Sequence, residues 1–350
     1  MNAAALAGLL VIGAAGLDRL VGDPRWCLHP VVVMGWLISR GRRLAEDWAG
    51  DDPLRLRLAG GLITLLLVLG SGSAGWGLER LALQASDQQT AAVALLGSLP
   101  LLIGLASALA GRSLEQAVAA VLQQLPTGPA GDDADLQPAR EALSWIVGRD
   151  TAGLDRAGIL RAAAETASEN AVDGLFAPLF WMLVGTGLWA AGLVSGPGPL
   201  ALAWGFKAAS TLDSMLGYRR GRLQWLGTAG ARLDDLLVLL PCRLVALSLP
   251  VLAGAGLRGS WRQFAAARRD GSPDPSPNAG LSQAAYAHAV GVQLGGLNHY
   301  GAQVRLKPLL AAGCPPADAS AVQRMLQLSR RLEALWLLPA LAVATTGLAQ

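Results

Sequence analysis

Six apolar runs, at about residues 1–17, 58–78, 91–111, 175–194, 236–257 and 333–348, constrain this chain more than any other feature. Several reach the ~20 residues that a helix needs to cross a bilayer. Soluble cores are assembled from amphipathic segments, not from repeated unbroken apolar runs. Charged residues make up 15% of the chain, against roughly a quarter in ordinary soluble domains. The mean hydropathy is +0.41. The reading is an all-α, multi-pass integral membrane helical protein, with its motifs on cytoplasmic loops and helices and a single domain over residues 1–350. The first run has no basic leader and no small-residue cleavage site before Asp18, so it reads as a retained first membrane helix. The stretch "LPTGPAGDDADLQP" at 125–138 reads as a flexible polar loop.

Lys and Arg sort the polar segments. Residues 18–57 hold seven, 79–90 one, 112–174 five, 195–199 none, 207–235 five and 258–331 nine. Basic segments face the cytoplasm. Helices 58–78 and 91–111 then make one excursion out and back, and 175–194 with 200–212 a second. A full crossing by 236–257 would place the nine cations of 258–331 outside. Pro241, Arg243 and Pro250 interrupt that run, so a bent or re-entrant segment is expected there.

Other classes are poorly supported. Cys27, Cys242 and Cys314 lie far apart and form no disulfide or zinc pattern. His29, His288 and His299 are equally scattered. The net charge is +3, without a basic run or an aromatic-interleaved patch for nucleic acid. No GxxxxGK[ST] or GxGxxG is present.

The polar segments carry acids at the edges of apolar runs, where they are costly and default to function. "AETASENAVDGLFAPLFWML" (164–183) places Glu165, Glu169 and Asp173 at i, i+4 and i+8, beside Asn170. Like charges so spaced repel unless a cation sits among them. A solvated face would intersperse Lys or Arg, yet the stretch from Arg161 to Lys207 has none. "VGRDT" supplies Arg149 and Asp150, and Asp150 or Thr151 is expected to cap the following helix. Residues 206–241 offer Lys207, Thr211, Asp213, Ser214, Tyr218 and Arg219, then Arg232, Asp234 and Asp235. Asp18, Asp23 and His29 surround a Gly-Asp-Pro turn. "SPNAG…GVQLGG" adds a loop whose backbone N–H groups suit phosphate. Acids on several segments, with cations nearby and no His/Cys cluster, suit Mg²⁺ and a phosphorylated substrate.

These motifs resemble the CbiB/CobD family of cobalamin-biosynthesis membrane proteins, the adenosylcobinamide-phosphate synthases. "GDPRWCLHPVVVMG", "RDT", "ETASENAVDGLFAPLFW", "STLDSMLGYR", "GARLDD" and "SPNAG…GVQLGG" occur in order from Leu17 to about Pro308. The resemblance implies ATP-dependent amide formation at the cytoplasmic face of the plasma membrane. The free propionate of adenosylcobyric acid would be joined to (R)-1-aminopropan-2-ol or its O-phosphate, through an acyl phosphate. It implies ATP and Mg²⁺ as cofactors, and catalytic roles for Glu169, Asp173, Asp213, Asp234 and His29. Asp173, Asp213 and Asp235 become metal ligands. Substrate or nucleotide binding falls to Asp23, Arg149, Asp150, Glu165, Asn170 and Lys207. It falls also to Thr211, Ser214, Tyr218, Arg219 and Arg232, and to Ser276, Asn278 and Gln293. Partners are the corrinoid, the aminopropanol and the lipid bilayer. A homo-oligomer, or assembly with other corrinoid-pathway membrane enzymes, is compatible with it.

Three positions depart from the family pattern. Gln283 stands where an acid is common, Val238 where Asn is common, and "DGSPDPSPN" replaces a basic or His-containing loop. A non-catalytic membrane sensor or accessory relative is the competing reading. A transporter is disfavoured, because the acids sit at helix entrances and no half-repeat is visible.

Overall fold

The computed structural model describes residues 2–23, 29–87, 91–126, 135–300 and 303–349. Cys27 and residues 127–134 of the expected flexible loop lie outside the described residues. In chain order the helices are α1 (Ala3–Val21), α2 (Pro30–Ala49), α3 (Pro53–Asp87), α4 (Ala91–Ala106), α5 (Gly111–Gln123), α6 (Gln137–Ser144) and α7 (Arg156–Ala171). A π-helical turn, Val172–Phe176, leads into α8 (Ala177–Ala190), followed by α9 (Pro199–Leu216), α10 (Leu223–Leu226), α11 (Thr228–Leu252), α12 (Gly256–Gly271) and α13 (Ala279–Val290). A hairpin of β1 (Leu294–Tyr300) and β2 (Gln303–Leu310) precedes α14 (Ala319–Trp336) and α15 (Leu338–Leu348).

Six helical segments are long and apolar enough to cross a membrane: Ala3–Val21, Pro53–Gln84, Gly97–Gln123, Arg156–Ala190, Thr228–Leu252 and Ala319–Leu348. Each contains or overlaps one of the apolar runs. The fold is that of an all-α, multi-pass membrane protein, with the antiparallel β1–β2 hairpin as its only sheet among the described residues. The helix carrying Glu165, Glu169 and Asp173 continues through the π turn into α8, because nothing in "NAVDGLF" removes an N–H or fixes a non-helical φ. One local expectation is corrected. The cap of α7 is neither Asp150 nor Thr151 but Asp155, whose carboxylate accepts from Gly158 N at 2.7 Å. Asp150 instead closes a turn, accepting from Ala152 N at 3.0 Å.

The chain forms two compact units: residues 1–110, 177–238 and 336–350, and residues 111–176 with 239–335. In the first, α3 packs so closely on α9 that a Cβ on Gly75 would lie 2.9 Å from the Ala201 backbone, and on α10 that one on Gly60 would lie 1.9 Å from Leu226 O. Small residues permit such approach where apolar burial alone gives no drive, inside lipid. Glu79, fully buried in α3, accepts from Gly198 N at 2.9 Å, Leu200 N at 2.7 Å and Ala201 N at 3.1 Å. It supplies from a neighbouring helix the cap that Gly198 cannot. α11 runs unbroken through Pro241. Proline removes the N–H that would bond Leu237 O, and Trp181 Nε1 bonds that carbonyl at 3.2 Å instead.

Candidate functional site

In the second unit, α7 and α13 meet through small side chains. Ala162, Ala163, Ala164 and Ala167 of α7 and Ala284, Ala285 and Ala287 of α13 are buried. Ser282 Oγ reaches Ser168 O at 2.6 Å. The next residue, Gln283, is thereby set against Glu169 and donates from Nε2 to Oε2 at 2.5 Å. One turn earlier, Glu165 pairs with Arg149, both side chains almost wholly buried. Arg149 also donates to Asn298 of β1, and Glu165 Oε1 accepts from Gly295 N at 2.9 Å. Arg161, a further turn back, donates to Gly295 O at 2.9 Å and Leu297 O at 2.8 Å. One face of α7 thus holds β1. The bulge at Leu294–Gly296 makes this contact, with Gly295 at φ +84°, a conformation that side chains disfavour.

Lys307 of β2 lies 3.2 Å from Asp274. Burial pulls its pKa down, but the charges of Glu169, Asp274 and Glu165 more than offset this and hold the ammonium above its usual value. Asp274 Oδ1 also accepts from Ser276 N at 3.0 Å. The Ser276 hydroxyl receives Asn278 N at 3.4 Å and Ala279 N at 3.3 Å, which opens α13. Arg243 of α11 grips Asn278 Oδ1 at 2.7 Å and Pro277 O at 3.3 Å, and Cys242 Sγ donates to Asn278 O at 3.3 Å. Asp173, in the π turn, acts electrostatically on Cys242. Single π turns recur at functional sites. Asn170 is solvent-exposed, and Gln293 Oε1 accepts from Gly313 N at 3.1 Å.

In the first unit, Lys207 and Asp213 of α9 meet Asp234 and Asp235 of α11. Asp234 is 9% exposed and feels the charges of Asp213, Asp235 and Lys207. Its Oδ1 is buried without a hydrogen-bond partner. The hydroxyls of Thr211 and Ser214 bond carbonyls of their own helix, Lys207 O at 2.7 Å and Thr211 O at 3.0 Å. Tyr218, Arg219 and Arg232 are exposed. His29 caps α2, with Nδ1 accepting from Val31 N at 3.4 Å, while Nε2 lies 3.3 Å from Asp23.

Glu165, Glu169, Arg149, Ser276 and Asn278 therefore share one centre, and Lys207, Asp213, Asp234 and Asp235 another. Sequence reasoning missed Lys307, Asp274 and Arg243 as site residues. Lys307 carried a faint signal, the alternation "QVRLK" of a strand. Arg243 looked like a mere interruption of an apolar run.

A polytopic helical membrane protein with two partly buried carboxylate–cation centres is the class that these features define. Comparison gives the family. The CobD/Cbib protein family matches residues 11–329, and the chain belongs to it. It is 40% identical to the cobalamin biosynthesis protein CobD of Geobacter metallireducens over 345 residues, covering 97% of each chain. It is 40% identical to CobD of Synechocystis sp. over 325 residues, 93% of this chain and 88% of the relative. With the cobalamin biosynthesis protein CbiB of Salmonella typhimurium it shares 35% over 328 residues, 94% of this chain and 92% of the relative. No solved structure matches.

Proposed function

We propose that this protein acts in cobalamin biosynthesis as an ATP-dependent amide-forming ligase at the cytoplasmic face of the plasma membrane. It joins the free propionate of adenosylcobyric acid to (R)-1-aminopropan-2-ol or its O-phosphate. The observation that carries the reading is Asp234: a buried carboxylate with an unpartnered oxygen, among Asp213, Asp235 and Lys207.

This donor set fits magnesium. Among the described residues no three acids converge on one metal position, but Mg²⁺ needs only one or two carboxylates, the remainder coming from water and phosphate. Asp213, Asp234 and Asp235 would hold it. With magnesium there, Mg·ATP would supply the phosphoryl group that turns a propionate oxygen into a phosphate leaving group, which leaves as the amine bonds to the acyl carbon. Lys207 neutralises phosphate charge, and Arg219 and Arg232, exposed and basic, reach for it from solvent. In the second unit, Glu169, held by Gln283 beside the Lys307 ammonium, is a carboxylate able to accept a proton. His29 is tied to Asp23 and the α2 cap, which leaves Glu169 the better base.

Purified protein with Mg·ATP, cobyric acid and aminopropanol phosphate should yield the amide and free phosphate. Asp213→Asn and Glu169→Gln should each abolish turnover while membrane insertion persists. Absence of amide from the unsubstituted protein would leave the accessory-protein reading; retained turnover in both variants would refute the site.

A further inference from the structure

α11 is apolar enough to cross a membrane, yet three observations set it apart from a crossing helix. The first is its exposed apolar stripe. On α3 this stripe runs from Leu54 to Leu81, about 40 Å at 1.5 Å per residue. On α11 it runs from Leu236 through Leu240 and Leu244 to Val251, about 22 Å, short of the ~30 Å hydrocarbon layer. The second is the depth of both halves. Gly230, at the start, lies beside Thr64, one turn from Gly60 and near the basic end of α3. Arg243, halfway along, is bonded to Asn278 and Pro277, in a loop with Ser272, Pro273, Pro275 and Pro277 exposed. Such a loop is not tolerated in hydrocarbon.

The third is α12. Only Ala253–Ala255 separate it from α11, so it starts within about 14 Å of α11's end. It is a basic amphipathic helix. Leu257 is 82% and Trp261 65% exposed, on successive turns, and Trp261 lies 5.7 Å from Phe264. Arg258, Arg262, Arg268 and Arg269 are exposed on the same side of the helix, against one acid, Asp270. Apolar and aromatic side chains bordering arginines are the mark of a helix lying in the interface of an anionic bilayer.

We infer that α11 and α12 form an elbow embedded in the surface of one leaflet, with α12 held by anionic phospholipid headgroups, and that α11 does not cross. α9 is the crossing helix in its place. Its start is held at Glu79, and α10, just beyond its end, touches Gly60, a separation along α3 of about 28 Å. This topology puts the nine cations of 258–331 on the same side as those of 18–57 and as Arg219, Arg220, Arg222 and Arg232, removing the conflict with the charge rule. Which side that is rests on the cytoplasmic reading above.

The test uses the full-length protein in cells and in inverted vesicles, with Cys27 and Cys314 replaced by Ser and buried Cys242 kept. Arg220→Cys, between α9 and α10, and Ala253→Cys, in the elbow, bracket α11 alone and are labelled with an impermeant maleimide. The expected result is labelling of both from the same side, the inside. Labelling from opposite sides means that α11 crosses and overturns the elbow. Labelling of both from outside keeps the elbow and overturns only the cytoplasmic assignment. In mixed phosphatidylglycerol–phosphatidylcholine vesicles, Arg258→Gln and Arg262→Gln should each reduce enrichment of phosphatidylglycerol at the protein, by about fivefold. Unchanged enrichment in the double variant overturns the headgroup contact.

Discussion

Replacing Arg149 with Met tests whether the second-unit centre is built as described. The Arg149 and Glu165 side chains are 7% and 4% exposed, so solvent screens little of their interaction. Arg149→Met leaves Glu165 with Gly295 N as its remaining hydrogen-bond donor and takes from Asn298, 2% exposed, the guanidinium bonded to it. Stranding one partner of a buried pair costs about 3–5 kcal/mol. Removing both charges, as Arg149→Met with Glu165→Met, eliminates the stranded carboxylate but leaves Gly295 N and Asn298 short of partners, at about 1–3 kcal/mol for an unmet group. The double variant should therefore be more stable than Arg149→Met alone, by about 2 kcal/mol. Unfolding in mixed micelles with a rising fraction of denaturing detergent, followed by loss of helicity, reads both numbers. A cost below about 1 kcal/mol for the single variant, or purely additive singles, would refute the buried pair. Turnover then separates two roles. A stable, active double variant makes the pair architectural; a stable, inactive one places it in the chemistry.

Three further outcomes are expected. Trp181→Phe should cost about 1 kcal/mol by leaving Leu237 O without its donor, and much less in Pro241→Ala, where residue 241 regains an N–H; additivity in the same unfolding assay would contradict the pairing. Burial raises the Asp270 carboxyl, but the bonds from His288 and Ala311 N outweigh it and hold its pKa below the ordinary 3.8. Its contribution is thus present above about pH 4 and lost as pH falls through the lower folded value, so an Asp270→Asn deficit in a pH-resolved unfolding series should be present at about pH 5 and vanish in strong acid. Lys307, raised above its usual 10.5, contributes fully below that value and loses its contribution only as pH rises through the folded one. Lys307→Met should lower stability equally from about pH 6 to 9, and a deficit changing within that window would mean a titrating neighbour.

The spans were legible because lipid imposes a simple demand: about twenty apolar residues with every backbone group bonded internally. The charged centres were legible only as lists of acids. Glu165, Glu169 and Asp173 form a visible stripe, but nothing in that stripe says that the first is paired with a cation 16 residues earlier while the second meets an amide 114 residues later. The β1–β2 hairpin was illegible for a related reason. Its two glycines mask the start of the strand, and its alternation is inverted, with Asn298 buried and Leu297 and Leu306 exposed. Pattern reading assumes that apolar faces point inward, which fails where the interior is a polar centre. Lys307 went unnoticed with it.

Gln283 is the departure that bears most on chemistry, and its surroundings weaken the case that it disables the centre. An acid at this position would face Glu169, and two carboxylates in contact cannot both ionise; one must keep a proton and donate it. Gln283 donates from Nε2 without any such proton. The substitution therefore removes a titration and preserves the hydrogen bond. Lys307 makes the same point from the other side. Its ammonium already answers the charges of Glu169, Asp274 and Glu165, and an acid at 283 would add a fourth. A half-buried lysine among acids does little for stability, since replacing such groups together by apolar side chains is often neutral or stabilising. Their presence, with Asp234 Oδ1 unpartnered in the other unit, argues for a centre under functional demand.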